Sequence, residues 1–348
     1  MKALIAKSPG VTEVIEVPIP KVGPDQVLTR VKYCGICATD IAIITGNSSF
    51  VDNGWVQYPV RIGHEWSGIV EKVGADVKDL KPGDHVISQN GVPCLVCEQC
   101  KKGRTDRCPN SRAVGTVGNH WEGSFAEYML MPEVLMHKLK PGISLIEAAL
   151  IEPAGIAMNG VIQTKFGLDD NILVIGTGPI GLAAAAFLKA LGCKNVMFSG
   201  RRDSKLAYAT KMGADLVINT RTQDIAEVIM EKTGGTGVDI VIETSGNLEA
   251  FKECFKYIAV GGIISLVGFF EELLNDFDID GIALRGIRLL GIAGIPDAVI
   301  KSVIDMMESG KVDLKPLITS IFPFSEVEKA IEKVIDNDDN RIKVLAEF

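Results

Sequence analysis

NILVIGTGPIGLAAAAFLKALG, residues 171–192, decides how the chain folds. A short apolar run, Asn171–Ile175, leads into glycines spaced G-x-G-x-x-G and then into an alanine-rich helical stretch. Between a strand and a helix, that spacing is the dinucleotide fingerprint. Gly176 allows the tight turn, Gly178 lets a pyrophosphate approach the backbone, and Gly181 lets helix and strand pack closely. Pro179 and Ile180 complete the phosphate-binding turn and open the helix.

Outward from this unit, strand and helix patterns alternate. Asn195–Phe198, Leu216–Ile218, Asp239–Glu243, Ile263–Val267 and Ile287–Ile292 read as further strands. Ser204–Met212, Asp224–Thr233, Leu248–Ala259 and Ala298–Ser309 carry helical periodicity. Six strands joined in this way predict a Rossmann fold, a doubly wound parallel sheet of the α/β class. Residues 1–150 differ: short strand-like runs such as QVLTRVKYCG and SGIVEKVG are broken by GP, VGA and KPGD, which predicts an irregular β-barrel-like domain. The tail after Gly294 carries a helical run, the strand-like LITSIF, the charged helix Glu326–Asp336 and a final short strand.

Composition narrows the function. The 348 residues carry 36 Lys+Arg against 44 Asp+Glu, a net charge of −8. Nucleic acid is a poor partner for such a chain, because phosphate neutralisation needs basic patches. The start, MKALIAKSPG, has no secretory h-region, and the longest apolar stretch, around Ala259–Phe270, is short of a membrane span. A cytoplasmic protein is expected.

CLVCEQCKKGRTDRC, Cys94–Cys108, spaces Cys94, Cys97, Cys100 and Cys108 as C-x2-C-x2-C-x7-C. In a reducing compartment such a cluster reads as metal-binding rather than disulfide-forming. Four thiolates complete a tetrahedral zinc shell, which implies a structural site with no open position. Elsewhere Cys37 in YCGICATD, His64 in RIGHEWSG and Glu152 in IEPAG are candidate ligands for a second metal.

Cys37, the pair His64–Glu65, the four-cysteine cluster, Glu152 and the glycine fingerprint, in this order, resemble the zinc-dependent medium-chain alcohol dehydrogenase family across essentially the whole chain. The Glu152–Pro153 pair resembles its sorbitol (polyol) and threonine dehydrogenase branches. The resemblance implies a GroES-like catalytic domain at 1–152, a Rossmann domain at 153–294 and a C-terminal return at 295–348. It implies a catalytic zinc held by Cys37 and His64, with Glu65 and Glu152 as the acidic members, binding zinc directly or through its water. It gives Thr39 the role of proton relay and Asp40 that of orienting His64. Zinc as Lewis acid then promotes hydride transfer between a secondary alcohol or ketone and a nicotinamide cofactor. The polyol and sugar-derived substrates come first. Threonine-type or other secondary alcohols, including hydroxysteroids, are the alternative, and a quinone-reductase-like or non-enzymatic role fits the intact ligand set less well.

Two positions depart from relatives. Ala42 stands where many carry a histidine after the relay hydroxyl, and Gly294 where sorbitol-type relatives place an arginine. Trp55, His120 and Trp121 are candidate pocket residues, and Cys34, Cys193 and Cys254 are spare thiols.

Cofactor choice is read from VMFSGRRDSK. An NAD-binding unit ends its second strand with an acid for the ribose hydroxyls. Here Gly200 holds that position, followed by Arg201 and Arg202. With Ser199, these arginines suit a 2′-phosphate through charge-assisted bonds, and NADP(H) is expected over NAD(H). Asp203 is expected to cap the following helix. Two zinc ions per chain and a homo-oligomer, tetramer ahead of dimer, complete the expectations.

Overall fold

The protein is described by a computed structural model covering residues 1–348 except Ser48, Trp55, 116–120 and Asn337. Two compact units result: Met1–Glu152 with Gly294–Gly310 and Ile318–Phe348, and Pro153–Ala293 with Lys311–Leu317.

In the second unit, runs of apolar residues without alternation become strands buried on both faces. Ile172, Leu173 and Val174 have no exposed surface, nor do Val196 and Phe198 in the neighbouring strand. All six strands are parallel, in the order Leu216–Asn219, Asn195–Gly200, Asn171–Ile175, Val238–Glu243, Ile258–Leu266, Arg288–Gly291. The chain order therefore reverses beside Asn171–Ile175, the switch point where doubly wound sheets bind ligands. The fingerprint sits at the carboxyl end of that strand. Gly176 takes φ +111°, and Gly178 caps the helix Pro179–Ala190.

Two local expectations are corrected. The helix Leu248–Tyr257 stops two residues early, because Ile258 and Ala259 already belong to the strand Ile258–Leu266. Ile258 pairs with Val238, and Gly261 at φ +78° lets the strand absorb the register shift that follows. Asp203 is not a cap. Arg202 holds the N-cap position, and Asp203 is the first helical residue, accepting a 2.6 Å hydrogen bond from Asn219 Nδ2.

The first unit is built on a mixed seven-stranded sheet, with Gln26–Gly35 and Glu65–Val73 at its centre. The C-terminal strand Lys343–Glu347 joins this sheet. It runs antiparallel to Gln26–Gly35 and parallel to Ile318–Pro323. In register, Gly35 lies opposite both Glu65 and Leu345. The core of this unit includes Leu4, Val31, Ile62, Phe125, Met129 and Val344. No helix among the described residues is long and apolar enough to cross a membrane.

Candidate metal centre

Cys37 follows the central strand Gln26–Gly35 and caps the helix Ala38–Thr45, placing its sulfur at the positive end of the helix dipole. His64 and Glu65 come from the start of the neighbouring strand Glu65–Val73. Gly63 introduces them at φ +97°, and a side chain there would strike Phe125, so glycine is required twice over. One ligand atom each from Cys37, His64 and Glu65 lies within 4.8 Å of the others. Glu152 stands outside that tight group, in the first turn of the helix Ile151–Ile162, and accepts a short hydrogen bond from Asn90 Nδ2. Thr39 Oγ1 lies 3.7 Å from Cys37 Sγ.

Asp40 ties the two ligand-bearing segments together. It is fully buried, accepts from the Cys37 backbone N–H at 2.9 Å and from the Gly63 N–H at 3.1 Å, and stands 3.6 Å from His64 Nδ1. A single carboxylate thus contacts the segments of both candidate ligands.

Lys343 is a residue that the sequence reading passed over. It sits in the C-terminal strand, 4% exposed, in an ion pair with Glu65 Oε2, and donates to Ile36 O at 3.1 Å. The signal was a lysine inside the apolar run IKVLA, where strand alternation turns it inward. Asn90, the partner of Glu152, carried no sequence signal.

The electrostatics fit a cation. Burial works against a charged His64, yet Asp40 and Cys37 lift its pKa well above the ordinary value. Burial pushes Glu152 up to about 7, with His64 opposing and Glu65 reinforcing the shift. Burial likewise raises Asp40. Carboxylates and a thiol therefore crowd a pocket whose cationic partners are Lys343 and His64, and a divalent ion would relieve that excess. A Cys/His/carboxylate donor set suits zinc with an open position.

The second cluster has the dimensions of a closed zinc site. Sulfur separations are 3.5 Å for Cys97–Cys100, 3.6 Å for Cys94–Cys108 and 3.8 Å for Cys97–Cys108. Tetrahedral zinc with sulfurs at about 2.3 Å places them about 3.8 Å apart. Hydrogen bonds from the Val96 and Cys97 backbone bring Cys94 down to about 6, while burial pushes Cys100 up to about 12.

At the dinucleotide end, a Cβ on Gly178 would meet nothing within 4 Å, so the backbone at the helix N-terminus is open to a pyrophosphate. A Cβ on Gly181 would collide with Gly176 O, as the packing role requires. Arg201 is exposed, whereas Ser199 is 1% exposed inside its strand. Gly294 takes φ +66° beside Asp106, a conformation that an arginine would strain. Trp121 donates to Leu130 O at 2.8 Å beneath the Arg112 guanidinium. Trp55 and His120 lie outside the described residues.

Comparison with known proteins agrees with this geometry. The family profile described as alcohol dehydrogenase GroES-like domain matches residues 23–141, and the one described as zinc-binding dehydrogenase matches residues 179–309. Sorbitol dehydrogenase of Bacillus subtilis (strain 168) is 32% identical over 99% of this chain and 96% of its own length. D-arabitol-phosphate dehydrogenase of Enterococcus avium is 33% identical over 100% and 97%. Among solved structures, an alcohol dehydrogenase from E. coli CFT073 complexed with NADH superposes with a TM-score of 0.90 at 29% identity, covering 100% of this chain and 99% of that one.

Proposed function

The chain belongs to the zinc-dependent medium-chain alcohol dehydrogenases, and from that premise we propose that it interconverts a polyol or sugar-derived secondary alcohol and its ketone with NADP(H), using two zinc ions per chain. The observation that carries the reading is the convergence of Cys37, His64 and Glu65 within 4.8 Å of one another. The names of relatives support a polyol-type substrate, since one is a sorbitol and another an arabitol-phosphate dehydrogenase.

Cys37 and His64 would hold the catalytic ion, with Glu65 and Glu152 as the acidic members, and Cys94, Cys97, Cys100 and Cys108 would hold the structural one. When bound, the metal supplies Lewis acidity to a substrate oxygen and the dinucleotide takes or returns the hydride. Asp40 keeps the Cys37 and His64 segments in register. Lys343 offsets the charge of Glu65. Thr39, beside Cys37, takes the hydroxyl position that passes on the alcohol proton, and Ala42 leaves the next step of that route to solvent or cofactor hydroxyls.

The glycine fingerprint would receive the pyrophosphate, and Arg201 and Arg202 the 2′-phosphate. The NADH-bound relative does not set the preference here, because selectivity rests on the end of the second strand and the residues that follow it, where this chain has Gly200 and two arginines. Burial of Ser199 shifts the weight of that reading to the arginines. A homo-oligomer also follows. The strand Arg288–Gly291 pairs with Ile258–Leu266 on one side and, among the described residues, has no strand on its outer edge, near exposed Leu284 and Leu289. Light scattering at micromolar concentration tests it, and a monomeric mass would refute it.

The main test is a panel of polyols, polyol phosphates, short secondary alcohols and threonine, assayed with both cofactors before and after zinc removal. Turnover of polyols that is abolished by a chelator and restored by zinc supports the reading. Chelator-insensitive turnover, or activity confined to threonine, would overturn it.

A further inference from the structure

We propose that Thr177, the variable residue inside the glycine fingerprint, is a cofactor-specificity residue: its methyl group occupies the space that the first side-chain carbon of an acid at position 200 would need. This rests on the proposed preference for NADP(H) and explains how the fold enforces it.

Gly200 has no left-handed φ, so its backbone conformation does not call for glycine. Space does. A Cβ built at Gly200 would lie closer than 3.0 Å to Thr177 Cγ2, a separation real Cβ atoms essentially never show, and 3.3 Å from Leu206 Cδ2. Neither backbone can withdraw easily. The Gly200 carbonyl accepts from the Thr220 N–H at 2.9 Å and from its hydroxyl at 3.3 Å, and Gly200 pairs with Asn219 in the adjacent strand. On the other side, the Gly176 N–H donates to Ser199 O at 3.3 Å, which fastens the fingerprint turn to the end of the same strand. Leu206 is 3% exposed and packed in the helix Asp203–Lys211. Relief must come from Thr177 itself, whose methyl group would have to turn away from position 200.

While Thr177 keeps its present rotamer, the carboxylate that would grip a ribose diol is opposed by shape as well as absent from the sequence. An arginine pair beside such an acid would lose its phosphate, because the acid repels it. Thr177 and Gly200 together keep that place clear, so a switch to NAD(H) requires both positions to change. Asp203 lies three residues further on, and its Oδ1 accepts from Asn219 Nδ2 at 2.6 Å.

The test is a double-mutant cycle on the zinc-loaded enzyme, reading melting temperature and the Kd values of NADP+ and NAD+ by direct binding. Gly200→Ala adds the Cβ alone and should lower the melting temperature; adding Thr177→Ala should recover it. Gly200→Asp alone should gain no NAD+ affinity. Gly200→Asp with Thr177→Ala should bind NAD+ about tenfold more tightly than Gly200→Asp, the effect of one hydrogen bond to a charged group. The inference is overturned if Gly200→Ala is as stable as the wild type, if the double variants are no more stable than their Gly200 parents, or if Gly200→Asp gains NAD+ affinity unaided. If the wild type binds NAD+ more tightly than NADP+, the preference for the 2′-phosphate fails, while the melting temperatures still decide whether Thr177 guards position 200.

Discussion

Lys343 and Glu65 form an ion pair whose side chains are only 4% and 2% exposed. The pair links the last strand of the chain to the start of the strand Glu65–Val73, just after His64. It also gives Glu65 a cationic partner in a pocket crowded by Cys37 and Asp40. Removing one partner of a buried pair leaves the other charge uncompensated, whereas removing both can be nearly neutral.

Lys343→Met should therefore destabilise the protein by about 3–5 kcal/mol. Lys343→Met combined with Glu65→Gln should recover much of that loss. Denaturant titration of the three variants checks it. A single variant within experimental error of the wild type would show that the pair is not needed for folding.

The two candidate metal clusters should respond differently to loss of one residue. Cys37→Ser should abolish turnover, lower bound zinc from two ions to one per chain, and leave the melting temperature nearly unchanged. Cys100→Ser should instead lower the melting temperature markedly, because a closed four-thiolate site contributes folding energy. Elemental analysis with calorimetry distinguishes them. Retained activity and lowered stability in the Cys37 variant would reverse the two assignments.

The parallel sheet was legible because strands buried on both faces leave uninterrupted apolar runs, and because Gly176, Gly178 and Gly181 mark one turn without ambiguity. Cys37 and His64 were legible as candidate ligands but not as neighbours: strand pairing, which puts Gly35 opposite Glu65, brings them together. Lys343 and Asn90 were missed for the same reason. Each acquires its role from a partner far away in sequence, Glu65 for one and Glu152 for the other. The misplacement of Asp203 was local, a one-residue slip in which Arg202 supplies the capping position and Asn219, at the end of the strand Leu216–Asn219, donates to the acid.

Asp40 joins the two ligand segments, so its amide variant should weaken metal binding before it weakens the fold. In Asp40→Asn an amide group replaces one carboxylate oxygen, and it cannot accept from both the Cys37 and Gly63 N–H groups. Loss of a residue that orients metal ligands typically lowers affinity about 10–100-fold. Competition with a chromophoric chelator should show that loss at one zinc of the two. Unchanged release of both ions would limit Asp40 to a packing role.

His137 should make stability depend on pH through its contact with Asp297. It is 7% exposed, and its Nε2 stands 3.5 Å from Asp297 Oδ1, which also accepts from Gln89 at 3.0 Å. Lys301 pairs with the other oxygen of Asp297 at 2.7 Å. Burial lowers the pKa of His137 below its ordinary 6.5, with Asp297 opposing and Lys301 reinforcing the shift. A group with a depressed folded-state pKa takes up its proton first in the unfolded chain. The stability it contributes is fully present above pH 6.5 and is lost as the pH falls toward the folded-state value. Melting temperature should fall from pH 7.5 to pH 5.5, and the His137→Gln variant should show a shallower fall over the same interval. Comparing the two slopes removes contributions from other groups, including the ligands. Equal slopes would mean that His137 titrates alike in the folded and unfolded chain, and that its burial against Asp297 imposes no protonation cost.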